Sequence, residues 1–340
     1  MNSSVWKRNA AYALSLVPGA FVLGGLCIGG LATWGNVVFS LGFLAVLESI
    51  LPDNTRTDHS EFRDWMPRFW LWAHVALTLA MLLALFEYLD RHAWASFSGI
   101  GAVVSCGIAC GSGAVVVGHE LIHKANPIEK GAGRLLLLLC GNPYFSAHHI
   151  LVHHTHVGTD SDCVTAKKGE SLYRYIPRSI GGQFVQAWQV ETAMQQKKGE
   201  RVRLWRSHLA QNCFILVLGA LLLAWVSIDG LMAWVGVSLI AALLLEYVNY
   251  IEHYGLQRQP GERVGPSHSW NSNRTISRFL LFDLSRHADH HMHASKPYHC
   301  LDSGLDSPRL PGGYVQLLYL AFRPQKWFST VDPLLPSNPQ

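Results

Sequence analysis

Six long apolar stretches, almost free of charge, limit what this chain can fold into; they lie at about 11–34, 36–51, 68–89, 97–117, 211–228 and 230–248. Crossing a bilayer takes roughly 20 apolar residues of helix. Backbone inside lipid must also satisfy its own polar groups, which a helix does within one segment. The stretches therefore read as six transmembrane helices of an all-α, polytopic membrane protein. The second follows the first directly across Gly35 and Asn36, so the two read as a helical hairpin, and the fifth and sixth pair likewise across Asp229 and Gly230. The fourth is rich in Gly, Ser and Ala, which lets helices approach closely in lipid. Only 15% of residues are charged, against roughly 25% in soluble domains, so core helices of a soluble protein are a poor account of these runs. Lys7 and Arg8 precede the first run as in a secretory leader, but the run is too long and lacks a clear cleavage pattern, so it reads as a retained helix.

With six spans, both termini, the 52–67 loop and the 118–210 segment share one side of the membrane. Almost all Lys and Arg fall there, Arg91 being the clear exception, and the positive-inside rule makes that side the cytosol. The expected organisation is four spans in 1–117, a cytosolic segment 118–210, two spans in 211–248 and a second cytosolic segment 249–340, in a multi-pass protein of the inner (cytoplasmic) membrane. The short leucine run from Leu135 to Leu139 is expected against the membrane or inside the cytosolic cap. Residues 184–209 read as a polar helix. Its basic run (Lys197, Lys198, Arg201, Arg203, Arg206) either rests on anionic headgroups or offers a face to an acidic redox protein. The net charge of +4 is small and scattered, which argues against a nucleic-acid partner. The seven cysteines form no CxxC pair, so neither disulfides nor a thiolate metal site is expected.

Eighteen histidines stand out against this background, and they cluster. His119-Glu120-Leu121-Ile122-His123 directly follows the fourth span, and residues four apart share a helix face. HExxH alone is equally a zinc-protease signature. The second cluster runs from His148 to His156, where His149 and His153 repeat the four-residue spacing and His154 adds a donor on an adjacent face. In the third, Arg286-His287-Ala288-Asp289-His290-His291, helical spacing pairs His287 with both His290 and His291. Eight clustered imidazoles exceed the three protein ligands of a catalytic zinc, so two metals fit the count better. Imidazole suits iron, copper, zinc and nickel alike; the membrane setting and the absence of thiolates favour iron. A membrane zinc protease on His119, Glu120 and His123 predicts one zinc and indifference to the other clusters. A metal transporter predicts ligands inside the spans, where these are not.

The chain resembles the membrane-bound alkane 1-monooxygenases, within the fatty acid desaturase and hydroxylase superfamily. The resemblance covers roughly residues 60–305 and rests on Gly118 to Lys124, on His149-xxx-His153-His154 followed by His156-Val157-Gly158-Thr159 and Asp162, on Asn249-Tyr250-Ile251-Glu252-His253-Tyr254-Gly255-Leu256, and on the segments beginning at His268 and Arg286. It departs where the second box opens with His148-His149 rather than Glu-His, and where a Pro-rich stretch reads Asp160-Ser161-Asp162-Cys163. The resemblance implies a non-haem di-iron centre held by nine histidines: His119, His123, His149, His153, His154, His253, His287, His290 and His291. Glu120, Glu252, Asp162 and Asp289 are then candidate orienters of bound imidazoles. His148, His156, His268, His293 and His299 are left as outer or structural residues. It further implies hydroxylation of a hydrocarbon entering from the bilayer, foremost an alkane's terminal methyl, using O2 and two electrons from a rubredoxin or ferredoxin-type protein with its reductase. Within the oxidoreductases the rivals are a xylene-type methyl hydroxylase and a fatty acyl desaturase or hydroxylase; the 249–256 segment favours hydroxylation.

Overall fold

A computed structural model describes residues 3–57, 65–259, 261–304 and 306–336. The middle of the 52–67 loop thus lies outside the described residues. Helices dominate; among the described residues there is no strand, only isolated bridges between Asp53 and Arg274 and between Asn271 and Arg309. In chain order, α1 (Trp6–Ile28), α2 (Gly30–Ile50), α3 (Trp65–Leu89) and α4 (Phe97–Ile122) are membrane spans. Three cap helices follow: α5 (Pro127–Leu139), α6 (145–156) and α7 (Leu172–Lys197). Then come the spans α8 (His208–Val226) and α9 (Ile228–His253), and the short cap helices α10 (Thr275–Leu280), α11 (His287–Met292), α12 (Tyr314–Ala321) and α13 (Pro324–Val331).

The α1–α2 turn falls at Gly29 and Gly30, not at Gly35 and Asn36. Both turn glycines hold positive φ, 76° and 57°, a conformation costly for any residue with a Cβ. Gly35 and Asn36 continue in helix, and Asn36 Nδ2 donates to Ser105 O at 2.8 Å. Ser227 caps α9, its hydroxyl accepting from Gly230 N at 3.0 Å, so the second hairpin turns just before Asp229 rather than on it. The expected helix over 184–209 instead starts at Leu172 and ends at Lys197; Arg201 and Arg203 lie outside it and Arg206 closes a single 3-10 turn.

α4 is the central span. Its apolar window is 78% buried, against 11% for the lipid-facing α8. Small residues allow this: any Cβ at Gly107 or Gly111 would strike Ile240 or Leu244 of α9. At its histidine-bearing end α4 packs against α5, which starts at an Asn126 cap accepting from Ile128 N at 2.9 Å and buries Leu136 and Leu137 of the leucine run. The loop before α11 holds two residues in the left-handed region, Phe282 and Asp283, with φ of 53° and 51°. Such residues cost about 1–3 kcal/mol each, and a clamp offsets this: Asp283 accepts from Arg278 Nε and Tyr12 OH, each at 2.5 Å, and from Arg8 at 3.2 Å. The clamped turn delivers α11 to the span ends.

Candidate metal centre

Four elements bring histidines to one end of the bundle. The last turn of α4 carries His119 and His123 lies at its end, α6 carries His149, His153 and His154, the last residue of α9 is His253, and α11 carries His287, His290 and His291. Their donor nitrogens fall into two groups. His119, His123, His149, His154 and His290 form one, and His153, His253, His287 and His291 the other, with ligand atoms inside each group within 4.8 Å of one another.

In the first group His149 Nε2 lies 2.6 Å from His119 Nε2, 3.0 Å from His154 Nε2 and 3.1 Å from His123 Nε2. An imidazole nitrogen has one proton or one lone pair, so these contacts cannot all be hydrogen bonds. His290 closes the group with both ring nitrogens buried and without a hydrogen-bond partner among the described residues. In the second group His291 Nε2 is 2.9 Å from His287 Nε2 and 3.2 Å from His153 Nε2, and His287 Nε2 is 3.1 Å from His253 Nε2. Ligands at right angles on metal–nitrogen bonds of roughly 2 Å sit about 3 Å apart. The nitrogens thus have the spacing of two coordination shells, and two metal ions fit the residues present.

Local backbone geometry decides which histidine joins which group. Residues 149–153 form a π-turn, with about one extra residue in the turn. His149 and His154, five apart, therefore converge, while His153 turns into the other group. This corrects the four-residue pairing of His149 with His153. On α11 His287 pairs with His291 alone, and His290 crosses to the first group.

Five of the grouped imidazoles outside the spans are held neutral. Burial, with Lys124 adding repulsion, lowers His123 to about 3. Burial and neighbouring imidazoles push His149, His154, His290 and His291 well below the usual range. Neutral rings leave lone pairs for metal. Asp162 orients a further ring of the groups: its Oδ2 accepts from His153 Nδ1 at 2.8 Å and from the Thr165 hydroxyl at 3.1 Å. Burial alone would raise that carboxyl, yet its histidine partners hold it below the ordinary value.

The other candidate orienters behave differently. Glu120 accepts from Lys124 Nζ at 2.5 Å and Tyr298 N at 3.3 Å, and among the described residues it meets no imidazole. The HExxH glutamate is thus engaged away from the grouped histidines, unlike the base of a zinc protease. Asp289 engages His293 and Lys296 rather than a grouped histidine. Glu252 Oε2 reaches the group-facing Nε2 of His287 at 3.2 Å instead of an outer nitrogen. His156 is exposed. His148 bonds Gln186 at 2.9 Å, and His268 Nδ1 accepts from Gly265 N at 2.9 Å, so both stay outside the groups. Sequence reasoning missed Tyr314, whose hydroxyl donates to Glu252 Oε1 at 2.7 Å, and Glu48, whose signal was an acid inside an apolar run.

A cavity of about 120 Å³ opens from the histidines into the span bundle. Ile108, Gly111, Val115, Leu244 and Val248 line its length, and His119, His149 and His287 close its end, so it meets both groups. Ser112, also on the wall, donates back to Ile108 O at 2.9 Å, so its hydroxyl is satisfied within α4.

Residues 92–306 match the family model described as fatty acid desaturase. The chain is 33% identical to alkane 1-monooxygenase 2 of Alcanivorax borkumensis over 88% of its own length and 82% of the relative's. It is 37% identical to alkane 1-monooxygenase 1 of Pseudomonas aeruginosa over 71% of this chain, spanning only 64% of that relative. A xylene/toluene monooxygenase hydroxylase component of Pseudomonas putida is 27% identical over 68% of this chain and 63% of its own.

Proposed function

The chain belongs to the fatty acid desaturase family, in its alkane 1-monooxygenase group, and from that premise we propose that it is an integral-membrane, non-haem di-iron monooxygenase of hydrocarbons, acting foremost on an alkane's terminal methyl. The observation that carries this reading is the meeting of two imidazole groups with one apolar slot. Two iron ions held there would supply activation of O2 for insertion of one oxygen atom into a C–H bond, the other atom leaving as water.

The protein's part is binding, orientation and dryness. His119, His123, His149, His154 and His290 would hold one ion, and His153, His253, His287 and His291 the other. Asp162, at hydrogen-bond distance from His153 Nδ1, would hold the ring's proton there and leave Nε2 as the lone pair offered to the ion. Phe145 stacks on His149 with centroids 4.7 Å apart and fixes that ring at the slot's end. The slot accepts an apolar chain from the bilayer, where it already partitions, and brings one end of it to the histidines.

Two electrons per turnover come from a separate redox protein, a rubredoxin or a ferredoxin-type donor with its reductase, because all seven cysteines are free and scattered. The histidine end faces the cytosol, with both termini, in the inner membrane. The test is expression with a rubredoxin and its reductase, followed by separate feeding of alkanes, xylenes and fatty acids and chromatography of the products. Terminal alcohols from alkanes support the reading. Benzylic alcohols alone would move the substrate to aryl methyl groups, and unsaturated acids alone would overturn hydroxylation.

A further inference from the structure

Glu48 lies near the end of α2, inside an apolar run, and is 1% exposed. A buried ionisable group in a span calls for a role, and four donors converge on this one. Its Oε1 accepts from Ser277 N at 3.1 Å and from the Ser277 hydroxyl, and its Oε2 from Val315 N at 3.1 Å and Gln316 N at 3.3 Å. The carboxylate thus ties α10 to the first turn of α12, and it leaves no room for a side chain at Gly313. Between these anchors sits Tyr314. Its backbone N donates to Ser277 Oγ at 2.9 Å, its carbonyl accepts from Tyr247 OH at 2.5 Å, and its own hydroxyl reaches Glu252 Oε1 at 2.7 Å. The other Glu252 oxygen lies 3.2 Å from His287 Nε2, much as His253 and His291 do at 3.1 and 2.9 Å. Glu252 is also the one acidic residue on the slot wall among the described residues.

We propose that Glu48, acting through Ser277 and Tyr314, positions the Glu252 carboxylate as an oxygen donor on the slot side of the four-histidine group. This rests on the di-iron reading. Nine neutral imidazoles bring no charge to two divalent ions, and a carboxylate at this spot supplies some where substrate arrives. Glu48 and Tyr314 are positioning residues, and Glu252 is the group that meets the metal.

The test loads purified full-length protein with ⁵⁷Fe and compares wild type with Tyr314→Phe, Glu48→Gln, Glu252→Gln and the Glu48→Gln/Tyr314→Phe pair. Readouts are iron per chain, the Mössbauer spectrum of the resting protein, and product formed per oxygen consumed. Tyr173→Phe, a surface tyrosine bonded to Phe322 O, serves as control. Expected are retained iron in Tyr314→Phe, a changed signal from one of the two irons, and several-fold lower coupling. Glu252→Gln should alter the same iron, Glu48→Gln should shift it in the same direction, and the pair should be no worse than Tyr314→Phe alone. A wild-type spectrum and coupling in Tyr314→Phe overturns the relay, and a Glu48→Gln protein that is only less heat-stable removes Glu48 from it. A wild type that binds no pair of irons overturns the di-iron reading instead.

Discussion

His153 and His154 are neighbours in the chain, yet they turn their imidazoles into different nitrogen groups: His153 Nε2 lies 3.2 Å from His291 Nε2, and His154 Nε2 lies 3.0 Å from His149 Nε2. The π-turn over 149–153 makes this division.

Asp162 acts on one group only. Asp162→Ala removes the acceptor for His153 Nδ1, and outer-sphere partners of this kind are worth about 10–100-fold in metal affinity. Chelator competition should show one of two irons released more readily, with the other unchanged. Equal weakening of both would contradict the assignment of His153 to the four-histidine group alone.

The slot wall sets what reaches the histidines. Ile108→Phe places a ring in a cavity of about 120 Å³, where extra methylenes typically cost about 1–3 kcal/mol. Activity on longer substrates should fall while iron content stays at the wild-type level. A parallel loss of iron would show that the residue supports the fold rather than the slot.

Much of this architecture was legible in the sequence. Hydropathy located six spans because lipid demands length and absence of charge, and all nine histidines inferred from family resemblance meet in space. What hydropathy could not show was backbone conformation. The α1–α2 turn moved from Gly35–Asn36 to Gly29–Gly30 because only the φ angle distinguishes a turn glycine from a packing one. The division into five and four was hidden for the same reason, since four-residue spacing assumes an α-helix and 149–153 is not one. Tyr314 could not be found from spacing at all. It stands 62 residues from the carboxylate it holds.

Asp283 makes the fold acid-sensitive. Burial alone would raise its carboxyl, but Arg278 at 2.5 Å, with Arg286 and Arg8, depresses it. The stability it contributes is therefore complete above the unfolded carboxylate pKa of about 3.9 and is lost as pH falls through that value toward the lower folded one. Asp283→Asn leaves buried guanidinium groups uncompensated, a loss on the order of 3–5 kcal/mol. Melting curves in detergent should show a lower transition at neutral pH and a shallower decline on acidification than in wild type. A steeper acid limb in the variant would contradict the pairing.

The central claim is that the two imidazole groups hold two irons. Metal analysis of the purified full-length chain, with His153→Ala and His154→Ala beside it, tests this most directly. The account predicts two irons in wild type, a fall toward one in His153→Ala, which leaves three imidazoles in its group, and smaller loss in His154→Ala, which leaves four. One zinc per chain without iron, indifferent to both substitutions, would contradict it.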